Sequence, residues 1–136
     1  MESIFRFLVV ASALLSMAFW SIPYIDYLWL TYEQMQILDL GGFGAIIPTY
    51  GITYWGTLIP WLAISAGLFF YVNAARTAFV VFMIINVALG LFYGISIMSP
   101  LEILIGSIIA MADGAIITMM YLTSISGKFS EKLGPG

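Results

Sequence analysis

Four long apolar runs, separated by polar connectors, dominate the chain. Each run holds close to the ~20 apolar residues that a helix needs to cross a bilayer, and none has the alternating polarity of a barrel strand. The expected spans are about residues 4–22, 54–72, 77–98 and 101–125, with an outer loop at 23–53 and a tail at 126–136. The pattern predicts an all-α integral membrane protein of one domain, a four-transmembrane-helix bundle.

The composition supports a membrane location and narrows the chemistry. Of 136 residues only 8% are charged and the mean hydropathy is +1.08, whereas a soluble domain is about 25% charged. Cysteine and histidine are absent, which removes disulfides, imidazole catalysis and metal ligation through those side chains. With four basic against seven acidic residues, we expect no nucleic-acid partner, and the lack of these ligands together with the scattered acids predicts no metal site and no cofactor.

The positive charges predict the orientation. Arg6, Arg76, Lys128 and Lys132 lie at the N-terminus, the second connector and the C-terminus. The other connectors carry only acids, namely Asp26, Glu33, Asp39 and Glu102. The positive-inside rule therefore places both termini in the cytoplasm, for a protein of the bacterial inner (plasma) membrane. All four tryptophans are expected in an aromatic belt at the outer interface: Trp20, Trp29, Trp55 and Trp61.

The first run has a second interpretation as a cleaved signal peptide, with Arg6 ahead of it and a small-residue site at residues 16–18. Its apolar stretch continues through Trp20 and Ile22, which is longer than the apolar region of a usual signal peptide. We therefore expect an uncut membrane anchor.

The long outer loop contains a short amphipathic helix. Thr31 and Gln34 have the spacing of a capping box, and Gly41-Gly42 provides a C-terminal stop, so a helix is predicted over residues 32–40. We expect this helix to lie on the outer membrane face or over the mouth of the bundle.

Asp113 requires an explanation because it stands about 18 Å from either end of the fourth span at 1.5 Å per residue. An ionised carboxylate at that depth costs about 2.5–3.5 kcal/mol on insertion scales. If the third and fourth spans form a tight antiparallel hairpin about Ser99-Pro100, Asn86 lies opposite Asp113. Serines at the same level are expected to complete an intramembrane polar layer: Ser12, Ser16 and Ser65.

Small residues at four-residue spacing favour the same hairpin. They are Gly90 and Gly94 on the third span, and Gly106, Ala110 and Gly114 on the fourth. Faces of this kind let two membrane helices approach closely. We expect the two faces to pack together beside the Asp113–Asn86 pair.

Three roles for Asp113 remain open: a lock of helix register, a proton or cation site, and the polar anchor of a pocket for an apolar ligand. An enzyme is not expected, because aspartyl hydrolysis needs two carboxylates within reach and the chain has one deep Asp. The favoured function is a non-catalytic accessory, assembly or partner-binding (immunity-type) subunit. Its partners would be the lipid bilayer and another membrane protein or a second copy. The alternative is a small oligomeric proton- or cation-coupled transporter or channel that uses Asp113.

The layout of the chain is also similar to a known family. Four spans, a long outer loop and Arg76 in an inner turn resemble the arrangement of DoxX-type small membrane proteins. The resemblance extends over most of the chain and implies the four-span fold, without assigning an activity or a role to any residue.

Overall fold

A computed structural model describes residues 1–47 and 52–130, with residues 52–54 as backbone alone, and its regular elements in those ranges are all helical. The helices are α1 (Glu2–Ser21), α2 (Tyr32–Leu38), α3 (Ile52–Phe69), α4 (Asn73–Leu89), α5 (Pro100–Leu122) and α6 (Ile125–Ser130). Three segments are long and apolar enough to cross a membrane: Glu2–Tyr24, Asn73–Phe92 and Pro100–Leu122. The α3 segment Trp55–Phe69 is a shorter apolar helix. The all-α prediction is confirmed.

Helix α1 lies at the centre of the bundle. It packs against α5 on one side and α3 on the other, while α4 packs on α3 and α6 contacts both α4 and α5. We call the end that holds residues 22–47 and 90–99 the cap end, and the end that holds the α3–α4 turn and α6 the tail end. In the most apolar 18-residue stretch of each long segment only 22%, 11% and 17% of the residues are buried, which is compatible with a lipid environment.

The predicted capping box of α2 is confirmed. The Gln34 amide donates to the Thr31 hydroxyl at 3.3 Å, and the Thr31 amide donates to the Gln34 side-chain oxygen at 2.9 Å. The helix ends at Leu38, two residues before the predicted end at 40. The chain then turns through Gly42, whose φ of +79° is accessible to glycine at little cost.

The cap end is fastened by main-chain hydrogen bonds between two segments far apart in sequence. The amide of Gly42 donates to the carbonyl of Ile95 at 2.8 Å, and the amide of Ile95 donates to the carbonyl of Phe43 at 3.0 Å. Gly94 lies in this crossing with φ +74°, and a Cβ there would stand 2.5 Å from the Phe43 carbonyl oxygen. A glycine is therefore required at this close approach.

The tail end is a buried aromatic cluster. Phe129 of α6 is 0% exposed and meets Phe5 and Tyr71 edge-on, with ring centroids 6.0 and 5.5 Å apart. Ile125 is buried beside it. The segment from residue 126, expected as a polar tail, thus begins as part of a helix that packs on the bundle. Residues 131–136 lie outside the described part of the chain.

The turn between α3 and α4 is also tight. A Cβ on Gly67 would lie 2.6 Å from the Cβ of Ala75, so the two helices approach to a distance that only glycine permits. Tyr71 follows α3 with φ +57°, a conformation in which most side chains are strained. Its ring stacks on Phe5 at 5.6 Å, which gives this strained residue a packing role.

The predicted hairpin of the third and fourth spans is wrong. Helix α4 ends at Leu89, well before residue 98, and a 3₁₀ turn over Gly90–Phe92 and an irregular segment follow it. A second capping box, between Ser99 and Glu102, starts α5 as a separate helix. Because α5 packs mainly on α1 and α4 on α3, the two spans do not share the expected small-residue interface.

The five small residues are accordingly dispersed. Gly90 and Gly94 lie beyond the end of α4, and a Cβ on Gly90 would meet no atom within 4 Å. Gly106 faces α1 instead, with its Cβ position 3.4 Å from the Phe19 ring. Ala110 and Gly114 are exposed. The predicted packing of the third span on the fourth is therefore wrong, because sequence spacing identifies a helix face without identifying which helix covers it.

Trp61 also departs from its predicted place. It is only 7% exposed and packs inside the bundle against Phe79 and Phe82, with ring centroids 5.1 and 5.8 Å away. Trp20 is half-buried and lines both cavities described below, whereas Trp29 and Trp55 are exposed.

Candidate functional site: a cavity around Asp113

Asp113 is buried at the interface of α1 and α5. The hydroxyl of Ser12 donates to Asp113 Oδ1 at 2.6 Å, and the two residues are 1% and 2% exposed. This distance lies at the short end of the range for O–H···O bonds. The bond joins two helices across 101 residues of sequence. The structure therefore brings together Asp113 and one of the three serines predicted for the polar layer.

The carboxyl group borders a cavity of about 210 Å³ between four helices, which we call the central cavity. Its wall is mostly aromatic and aliphatic, with a few polar groups. The lining residues are Ser16, Phe19, Trp20, Thr57, Trp61, Phe82, Met83, Asn86, Gly106, Ile109 and Asp113. An apolar pocket with a small number of polar groups is the usual form of a small-molecule site in a helix bundle.

Asn86 lies in the wall of the same cavity but does not bond to Asp113. Its side-chain amide donates to the carbonyl of Phe82, one turn earlier in α4, at 2.8 Å. The predicted Asn86–Asp113 hydrogen bond is wrong because α4 stands against α3 rather than α5. The carboxamide thus satisfies its own helix and lines the space across from the acid.

The other two predicted serines occupy different places. Ser16 is buried and lines the central cavity one turn along α1 from Ser12. Ser65 is buried on α3 one turn beyond Trp61, outside the set of residues that line the cavity. The polar layer therefore consists of a bonded pair and two cavity-lining groups, with Ser65 apart from them.

A second cavity of about 510 Å³ lies between the central cavity and the cap; we call it the vestibule. The two cavities share Phe19, Trp20, Thr57 and Asn86 in their walls, so they adjoin each other. The vestibule is also lined by Met35, Leu38 and Asp39 of the α2 region, by Gly41 and Gly42, and by residues 95–98. Asp39 is exposed, so the vestibule reaches the protein surface.

Three acidic residues line the vestibule, and they differ in exposure and in hydrogen bonding. Asp39 is exposed, and Glu102 accepts the Ser99 amide at 2.6 Å as part of its capping box. Asp26 is 3% exposed and its Oδ1 has no hydrogen-bond partner among the described residues. A buried carboxylate oxygen without a donor is costly, so this position favours an incoming donor or cation.

Sequence reasoning missed the aromatic wall of the cavity. Trp61, Ser65 and Leu68 are all buried, and their spacing of four and three residues marks one face of a helix. That signal was available, but it identifies a buried face rather than a cavity. The indole Nε1 of Trp61 has no hydrogen-bond partner in the described part of the chain, although the residue borders the cavity.

The described basic side chains lie at the tail end, away from the cavity. The guanidinium of Arg6 stands over the rings of Phe69 and Tyr71 at 5.2 and 5.1 Å. That of Arg76 stands over Tyr121 at 4.9 Å and joins α4 to α5. Neither cation lines the central cavity, and among the described residues of its wall Asp113 is the one acidic or basic side chain.

Within residues 1–47 and 52–130 no group of three or more Asp or Glu residues is arranged to hold a metal ion. Comparison of the chain with protein-family models, with curated proteins and with solved structures finds no match. The case for function therefore comes from the geometry of the cavity alone.

Proposed function

We propose that the chain crosses the membrane four times, with both termini in the cytoplasm and the cap end outside. Helix α3 has 18 residues and a length of about 27 Å at 1.5 Å per residue, close to the ~30 Å of a hydrocarbon core. Arg6, Arg76 and Lys128 lie at the tail end, while the acids around the vestibule lie at the cap end. This charge distribution supports insertion in the bacterial inner membrane with the tail end inside.

Because the chain contains no cysteine, single cysteines can be introduced directly to test this topology. Tyr32→Cys at the exposed cap and Ser126→Cys at the tail end are treated with a membrane-impermeant maleimide on intact cells. We expect labelling of the first, and labelling of the second only after lysis. Labelling of both on intact cells would refute the four-span arrangement.

For the activity, we propose a proton- or cation-coupled transporter in which Asp113 is the coupling group. The observation that carries this proposal is the position of Asp113 in the wall of a cavity that adjoins a surface-connected vestibule. Intramembrane acids that face a cavity are the usual markers of ion pathways. The buried aromatic cluster at the tail end closes the opposite side, as an outward-facing state requires.

Proton flux in liposomes tests the role of Asp113. The protein is reconstituted with a trapped pH-sensitive dye, and an inside-negative potential is applied with or without candidate cations outside. We expect flux that Asp113→Asn abolishes, because the amide cannot release a proton. Glu2→Gln, which changes an exposed acid at the tail end, is the matched control and retains flux. Equal flux from Asp113→Asn would remove the proposal.

A non-catalytic accessory or partner-binding subunit is the second candidate. The observation in its favour is the set of large side chains that project from the cap, among them Tyr32, Phe43 and Ile46 at 77%, 72% and 78% exposure. Exposed apolar patches of this kind mark protein or membrane contacts. A photo-crosslinking residue in place of Phe43, used in native membranes, tests it. Adducts to one other membrane protein, or to a second copy, support this candidate, and adducts to lipid alone refute it.

A further inference from the structure

We propose that the ligand of the central cavity is a small organic ammonium ion carried on an apolar body of about one ring. The inference rests on the proposed function, because it names the class of cation that Asp113 would bind. It depends on three features of the cavity: its size, its aromatic wall and its charge.

The size of the cavity indicates which ligands it can accommodate. An engineered cavity of ~150 Å³ accommodates benzene, and the central cavity measures about 210 Å³. One aromatic or aliphatic ring with two or three further heavy atoms therefore fits. The vestibule, at about 510 Å³, admits such a molecule from the cap.

The wall of the cavity suits a cation. Phe19, Trp20, Trp61 and Phe82 all line it, and aromatic faces attract ammonium groups. Asp113 provides the counter-charge in the same wall, and no described basic side chain competes for it there. The Ser12 hydroxyl occupies Oδ1 and fixes the orientation of the carboxyl group.

The route to the cavity carries the same charge preference. Asp26 borders the vestibule with a buried carboxylate oxygen that has no partner among the described residues. Asp39 is at the surface of the same cavity. A passage with acidic walls concentrates cations, so cations accumulate at the entrance to the vestibule.

Equilibrium binding to the full chain in lipid nanodiscs tests the ligand class, with benzylammonium as the probe and benzyl alcohol as its neutral counterpart. We expect saturable binding of benzylammonium in calorimetry. Asp113→Asn, which keeps the acceptor for Ser12, should weaken it about tenfold or more, because hydrogen bonds to charged groups exceed the 1.4 kcal/mol that corresponds to a factor of ten. Binding of benzyl alcohol should not depend on this change.

Two further variants keep the test decisive if Asp113→Asn lowers expression. Phe82→Leu removes one aromatic face and should weaken benzylammonium about two- to fivefold, the range of an exposed to partly buried cation–π contact. Glu33→Gln removes a negative charge from the exposed side of α2, outside both cavities, and should leave binding unchanged.

The outcomes separate the two proposals. Benzyl alcohol binding as tightly as benzylammonium, or a Phe82→Leu and Asp113→Asn series without effect, overturns the ammonium ligand. Benzylammonium binding without proton flux in liposomes refutes the coupled transporter and leaves the ligand class intact. Flux that is insensitive to benzylammonium, with no binding, refutes the ligand class alone.

Discussion

The hydrogen bond between Ser12 and Asp113 should couple α1 to α5 by a measurable free energy. Interhelical hydrogen bonds in membranes contribute about 0.6 kcal/mol on average and up to ~1.7. The Ser12–Asp113 bond is short, at 2.6 Å, and both residues are at most 2% exposed. We therefore expect a value near the upper limit, about 1–2 kcal/mol.

A double-mutant cycle isolates this coupling. Ser12→Ala removes the donor and Asp113→Ala removes the acceptor, whereas Asp113→Asn would keep an oxygen that Ser12 can still reach. The free energy of unfolding of each variant is measured by steric trapping in bicelles, and the coupling is the departure of the double variant from additivity.

Ser107 provides the matched control for the cycle. It is on the same helix as Asp113, is exposed, and its hydroxyl donates to the carbonyl of Ile103 at 2.7 Å within α5. The pair Ser107→Ala and Asp113→Ala should be additive. A coupling below ~0.5 kcal/mol for Ser12 and Asp113, or an equal coupling for the Ser107 pair, would show that the bond does not hold α1 to α5.

Three further substitutions test the close approaches in the fold. Gly67→Ala places a methyl group 2.6 Å from the Ala75 methyl group of α4 and should lower the free energy of unfolding by about 1–3 kcal/mol. Gly114→Ala is the control, because its methyl group meets no atom within 4 Å, and it should be neutral or stabilising. Gly94→Ala should increase hydrogen exchange at the amides of the cap, since its φ of +74° and the Phe43 carbonyl both oppose a side chain. Gly90→Ala should leave the exchange at these amides unchanged, and equal effects of the two substitutions would contradict the close approach. Phe129→Ala, at a fully buried position, should lower the free energy of unfolding by about 3–5 kcal/mol. If thermal unfolding shows no larger loss of stability than an alanine substitution at an exposed residue, α6 does not pack on the bundle.

The long apolar helices and the short helix α2 could be predicted from sequence because they depend on local composition and spacing, whereas the end of α4 at Leu89 and the helix α6 were missed. The apolar runs that predicted α1, α4 and α5 follow from the cost of burying polar groups in lipid, and the α2 cap follows from the Thr31–Gln34 spacing. The start of α5 has a similar local signal, since Ser99 and Glu102 have the same spacing as the Thr31–Gln34 capping box.

Helix neighbours were not predictable in the same way. The depth of Asp113 predicted several residues at one level, among them Ser12 and Asn86, and only packing selects a hydrogen-bond partner from such a set. Asn86 was preferred because its span follows next in the chain, and the structure pairs Asp113 with the first helix instead. A cavity is harder still, because it depends on where side chains fail to fill space, and single-chain periodicity contains no information on that.

The Ser12–Asp113 bond also determines how late in synthesis the fold can be completed. Its partners are separated by 101 residues, which a ribosome takes roughly 5–20 s to add at 5–20 residues per second. Until Asp113 has been added, the Ser12 hydroxyl lacks this acceptor, and α3 is a helix against which α1 can already pack. Helix α5 then completes the bundle, so a nascent chain that stalls before Asp113 should lack the bond that joins α1 to α5.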